Sequence, residues 1–301
     1  MSAYIGELSA LATAIFFTGT STMFTLAGRQ VGSLVVNRTR LILAVIFLTV
    51  AHFVLRVPLP IHAGAERWLW LGLSGIVGLV LGDAFLFQAF VLIGPRLSML
   101  MMSLAPVIAA VLAWVLLSED LSVLQIVGIL ITISGIAWVV LERNGQRRVD
   151  PAGNREYLMG LLFGLGGATG QAVGLILAKK GLGGDFPALS GTLMRMLAAM
   201  TSLWIVTLLT RQAGITLRQL NTHRHAIIFI IGGAFTGPFL GVTFSLLAIQ
   251  HTEVGIASTI MALPPVFLLP VGYFMFKERF GWQAIAGTAV AMLGVGLLFL
   301  V

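Results

Sequence analysis

Along the whole chain, apolar residues run in long blocks, and polar residues collect in short joints between them. A helix needs about 20 apolar residues to cross the hydrocarbon core of a bilayer. By that measure the pattern predicts ten spans, at 4–27, 34–55, 68–90, 97–117, 122–141, 157–178, 188–209, 226–248, 254–276 and 281–301. Three joints are longer and polar, at 56–67, 142–156 and 211–225. The middle one, ERNGQRRVDPAGNRE, carries four arginines, two glycines and a proline. It divides the chain into a first unit of five spans at 1–141, a basic connecting loop at 142–156, and a second unit of five spans at 157–301. The predicted fold is an all-α membrane protein.

The two units share joints. Leu104-Ala105-Pro106-Val107 followed by Ser118-Glu119 returns as Leu263-Pro264-Pro265-Val266 followed by Lys277-Glu278, displaced by 159 residues. At that offset, 78–142 and 237–301 hold fourteen identities in 65 pairs, among them Gly78/Gly237, Gly82/Gly241, Phe85/Phe244, Gly128/Gly287 and Gly135/Gly294. Arg40-Leu-Ile-Leu-Ala and Arg195-Met-Leu-Ala-Ala add a fainter match at a different offset. Five is an odd number, so a second copy enters the membrane from the opposite side. The duplication therefore predicts an inverted repeat around a central cavity, the construction used by secondary transporters.

Composition agrees with lipid as the solvent. Hydrophobic residues make up 58% of the chain and charged residues 10%, against about 25% charged in soluble domains. There is no cysteine, which excludes disulfides and thiol chemistry. The first span has no basic leader and reads as a retained helix. The net charge of +7 reads as arginines at cytoplasmic helix ends rather than as a nucleic-acid surface. Outside the spans, eleven Lys and Arg fall on the side of Arg29, Arg96 and the central loop, and four (Arg56, Arg67, Lys179 and Lys180) on the other. The positive-inside rule then puts the central loop in the cytoplasm and both termini outside.

The chain resembles the drug/metabolite transporter superfamily, and within it the EamA-type branch. The resemblance rests on the ten spans in two halves, the prolines Pro106, Pro264 and Pro265, and the acidic turns at Glu119 and Glu278. The tryptophan that many members carry before the glycine of each first helix is missing from Thr18-Gly19 and Thr169-Gly170. Length and span count are similar to the aromatic amino acid exporters of that branch. The resemblance implies a multi-pass protein of a bacterial cytoplasmic membrane acting on a small-molecule substrate; ten helices in one chain already hold both halves of the site, so a monomer is expected to suffice.

Polar groups inside hydrocarbon are the residues to weigh. Asp83 is the acidic residue well inside a span; it reads as a coupling site for a proton or cation, or as a structural partner for Arg40. Arg38, Arg40 and Arg195 read as anchors for a substrate carboxylate, or as side chains reaching an interface. Thr18, Thr20 and Ser21 in the first span, and Gln171 in the sixth, suit a zwitterion held without fixed charge; they equally suit close helix packing. Pro106, Pro264 and Pro265 are expected to kink the fourth and ninth spans and to border the cavity. Met101, Met102, Thr259 and Met261 flank those kinks, a soft wall for varied apolar side chains. Phe87, Phe163 and Phe244 are further lining candidates. Gly164-Leu-Gly-Gly-Ala-Thr-Gly170 follows no strand, so its glycines read as packing positions rather than a nucleotide loop. His223 and His225 lack a third ligand nearby, and neither a metal nor a cofactor is expected.

The function that these readings favour is secondary transport, exporting neutral or aromatic amino acids. The alternative is an exchanger of sugar phosphates or nucleotide sugars, disfavoured because phosphate needs basic cavity residues. No HExxH, GxSxG or paired intramembrane aspartates support an enzyme, and the duplication argues against a receptor that transports nothing.

Overall fold

The computed structural model describes residues 4–117, 122–146, 151–183, 186–251, 260–277 and 281–297, and among them every regular element is helical. Helix α1 (Ile5–Val31) turns into α2 (Ser33–Val54) through Gly32 alone, whose φ of 84° lies where side chains are rarely tolerated. Helix α3 (Ala65–Ser74) passes through a π-helical segment, Gly75–Gly82, into α4 (Asp83–Met102). Helix α4 is itself divided at Gly94 (φ 80°, ψ 168°), and Pro95 starts the next turn. The helical run from Ala65 to Met102 thus carries the third span and the beginning of the fourth. Helix α5 (Leu104–Leu117) follows a one-residue interruption at Ser103, three residues before Pro106.

The second unit has α7 (Pro151–Gly181), α8 (Ala188–Leu209), a short α9 (Ala213–Thr222) and α10 (Arg224–Ala234). A second π-helical segment, Phe235–Gly241, leads into α11 (Val242–His251). The unit ends with α12 (Pro264–Phe276) and α13 (Trp282–Leu297), the counterpart of α6 (Val123–Gln146). Seven described helical runs are long and apolar enough to cross a membrane, and α12 and α13 are shorter apolar helices. Two stretches read as loops contain helix. Helices α6 and α7 extend into 142–156, the latter with proline at its first position, where the missing N–H is no loss. Helix α9 occupies most of 211–225.

The duplication reappears in the backbone. The 159-residue offset carries Gly82, the last residue of the first π segment, onto Gly241, the last of the second. It also carries the interruption at Ser103 onto the one at Ala262 before α12. Helices α6 and α13 pack through their glycines. A Cβ added to Gly135 would overlap the Ala291 backbone, and one added to Gly294 would overlap the Thr132 backbone. The same two positions face Gly287 O and Gly128 O. Since Thr132 pairs with Ala291 by offset, and Gly135 with Gly294, each contact has its mirror image, as at a two-fold interface. Residues 128 and 294 meet at one end and 135 and 287 at the other, so α6 and α13 lie antiparallel.

Two further seams join the units. Gly170 and Gly174 of α7 lie against Gly82 and Gly78 of the first π segment, where a Cβ would come within 2.6 and 2.9 Å of the facing Cα atoms. Reciprocally, Gly237 and Gly241 of the second π segment lie against Thr20 and Phe17 of α1. Lipid tails supply no hydrophobic drive between helices, so such small-residue contacts carry much of the association.

Candidate functional site

A polar node sits where the first π segment meets α2, α7 and α8. Asn37 and Arg40 stand three residues apart on α2 and so share a face. Arg40 Nε donates to Asn37 Oδ1 at 3.0 Å. Its Nη2 donates to Leu79 O at 3.0 Å and to Asp83 Oδ2. The guanidinium also lies 4.8 Å above the Phe87 ring centroid. The other oxygen of Asp83 accepts from Gln171 Nε2 at 2.6 Å. Arg40 and Asp83 are the ion pair among the described residues, with side chains only 3% and 7% exposed.

The π segment explains how this charge is housed. A π turn departs from the regular ladder of hydrogen bonds and presents carbonyls to side chains. Here Gly78 O accepts from Gln171 Nε2 (3.3 Å), Leu79 O from Arg40, and Val80 O from Asn37 Nδ2 (3.3 Å). Irregular backbone at membrane depth persists where protein groups satisfy it, and three consecutive carbonyls do so here. Arg195 of α8 completes the node. It is buried, it interacts electrostatically with Asp83, and its backbone closes on Gly75.

The structure separates the three intramembrane arginines. Arg40 is held in the node by its bonds to Asn37, Leu79 O and Asp83. Arg38 reaches instead to α9, donating to Thr216 Oγ1 at 3.0 Å and to Gln212 Oε1. The Arg195 guanidinium makes no hydrogen bond among the described residues, and its buried Nε, like that of Arg38, has no partner.

Of the other residues singled out above, Asp83, Gln171 and Phe87 come together in the node. Thr18 and Ser21 donate to carbonyls of their own helix, Ala14 O and Thr18 O, a local bond that sequence pattern does not display. Thr20 crosses the sister seam, donating to Gly233 O at 3.1 Å and meeting Thr236 Oγ1 at 2.7 Å. Met101 packs against Gly164, and Met102 against the cluster of Phe24, Phe87 and Phe90. Phe163 pairs with Phe85 (5.9 Å) and Phe244 with Phe16 (5.6 Å). Met261 packs on Ala10 and Ala248. Pro106 is half-buried in α5, while Pro264 and Pro265 are buried at the start of α12. Thr259, Glu119 and Glu278 lie outside the described residues. Sequence reasoning missed Asn37, although its spacing from Arg40 is that of neighbours on one helix face. It also missed Thr236.

The comparison that decides the family falls in two copies. A model of the EamA-like transporter family matches residues 4–141 and again 158–300. The chain belongs to that family. As an EamA-like transporter it is a multi-pass membrane protein that moves small solutes, and the node lies between the two family repeats. No curated protein matches its sequence. A solved crystal structure 18% identical to it superposes with a TM-score of 0.62, covering 96% of this chain and 98% of the other, which shows a shared fold.

Proposed function

We propose that this EamA-like chain is a secondary transporter exporting small metabolites, neutral or aromatic amino acids foremost, by alternating access between two oppositely oriented halves. The observation that carries the reading is the antiparallel, mirror-image packing of α6 and α13 through Gly128, Gly135, Gly287 and Gly294. Equivalent helices that run in opposite directions are what an inverted repeat requires. The two seams at the π segments are where such halves open in turn, one beside the Asp83 node and one beside Thr20 and Thr236. One chain supplies every group of both seams, so a monomer suffices.

The node also bears on substrate class. Arg40 is neutralised by Asp83, so among the described residues Arg195 is the one cation left over in the node, which suits the single carboxylate of a zwitterion better than a doubly charged phosphate. Asp83 is the node's acid, so coupling to a proton gradient runs through it: protonation takes from Arg40 and Gln171 the charge they hold. The test is uptake into proteoliposomes of labelled phenylalanine, threonine and UDP-glucose in parallel, with and without a pH gradient. Saturable amino acid flux that responds to the gradient is expected. Flux of UDP-glucose alone, or of no substrate, contradicts the reading.

A further inference from the structure

Arg195 stands out among the buried groups because its charge exceeds what its surroundings return. The described node holds two guanidinium groups, Arg40 and Arg195, against one carboxylate, Asp83. Both oxygens of that carboxylate are already taken, one by Arg40 and one by Gln171. Arg195 is only 7% exposed; its buried Nε, like that of Arg38, has no partner, but unlike Arg38 and Arg40 its guanidinium makes no hydrogen bond among the described residues. A buried donor on a charged group that lacks its bond is costly, because its desolvation is not repaid. Apart from its attraction to Asp83, Arg195 has no bond among the described residues to account for its burial, and a ligand anion is the partner its guanidinium lacks.

The geometry also gives the ligand two ends. Arg195 Nη2 and Gln171 Oε1 stand side by side at Gly78, 3.6 and 3.8 Å from the position that a Cβ would take there, with Gly174 Cα also 3.6 Å away across the closed seam. Gln171 commits its amide N–H groups to Asp83 and Gly78, so its oxygen remains as an acceptor. A carboxylate and an ammonium held one carbon apart match a guanidinium beside an amide oxygen.

We propose that Arg195 anchors the carboxylate of an α-amino acid substrate, with Gln171 Oε1 receiving its ammonium group. The bound carboxylate brings the node to two cations and two anions. The assignment rests on the amino acid reading above, and it deepens that reading by separating one arginine from the other two. Arg195 is a ligand contact; Arg40 is structural, and Arg38 holds α9.

The test uses the full-length protein, wild type and Arg195→Gln, with phenylalanine and phenylalaninamide as probes. Binding is read by ligand-induced thermal stabilisation in detergent, and transport by flux in proteoliposomes. Phenylalanine should stabilise the wild type, and phenylalaninamide, which lacks the carboxylate, should bind about tenfold or more weakly. Arg195→Gln should lose that preference and raise KM for phenylalanine by about tenfold or more, while its ligand-free melting temperature holds or rises. A purely structural arginine would lower the ligand-free melting temperature and leave the preference intact. Unchanged discrimination in Arg195→Gln overturns the assignment while flux, if present, keeps the transport reading. Carboxylate-dependent stabilisation that vanishes in the variant upholds the assignment even without flux. No carboxylate-dependent stabilisation of the wild type overturns it.

Discussion

Asp83→Asn is expected to lower stability by about 3–5 kcal/mol, the range for removing one member of a buried ion pair, and to abolish transport. The substitution keeps the shape of the side chain and removes its charge. Arg40 then lies buried with Asn37, Leu79 O and Phe87 as its remaining contacts, none of them anionic. Arg195 loses the same counter-charge from across the seam. The double variant Arg40→Gln/Asp83→Asn should recover much of the loss, because a pair removed together leaves no uncompensated ion. Melting of the single and double variants in detergent checks both statements. A single variant as stable as wild type would show that the pair is dispensable.

The second large effect concerns two glycines that look alike in sequence. Thr18-Gly19 and Thr169-Gly170 are matching Thr-Gly pairs in the first helix of each unit. A Cβ on Gly170 would come within 2.6 Å of Gly82 Cα and 3.0 Å of Gly82 N, both backbone atoms that cannot rotate aside. A Cβ on Gly19 meets nothing within 4 Å. Gly170→Ala should therefore cost about 1–3 kcal/mol through overpacking, and more with valine. It should also impair transport, since Gln171 rides on the displaced backbone and loses its bond to Asp83. Gly19→Ala should stay within about 0.5 kcal/mol of wild type, because the added methyl meets open space at a half-buried position. Thermal midpoints and phenylalanine flux for the two variants give the contrast. Equal behaviour would mean that the seam at Gly82 tolerates separation.

Much of the fold was legible in the sequence because a bilayer sets a fixed helix length and the chain repeats its joints. The glycines matched at the 159-residue offset, Gly78/Gly237 and Gly82/Gly241, proved to lie in the two π segments. The π geometry itself was not legible. It depends on side chains arriving from other helices, Asn37 and Arg40 from α2 and Gln171 from α7, to occupy the carbonyls. For the same reason Asp83 was readable as either a coupling site or a partner of Arg40, and only the tertiary contact joined them. The threonine cluster misled in a different way. Thr18 and Ser21 point their hydroxyls at their own helix backbone, whereas Thr20 alone reaches across the seam.

The node also exposes how far the two seams have diverged. Val242 stands at the position equivalent to Asp83, and the second seam is joined by hydroxyls rather than charges. The backbone symmetry has been kept and the chemistry has not. On the reading of opposed halves proposed above, that asymmetry gives the two openings different polar character.

The opposed orientation of the halves is the central claim, and cysteine labelling tests it most directly. The chain contains no cysteine, so single replacements need no altered background. Val123 and Trp282 are the first residues of α6 and α13, are related by the offset, and are 79% and 69% exposed. In intact cells, a membrane-impermeant maleimide should label Val123→Cys from outside, and reach Trp282→Cys, beside the basic turn at Lys277, only after permeabilisation. Labelling of both from the same side would contradict the inverted repeat, and with it the account of alternating access.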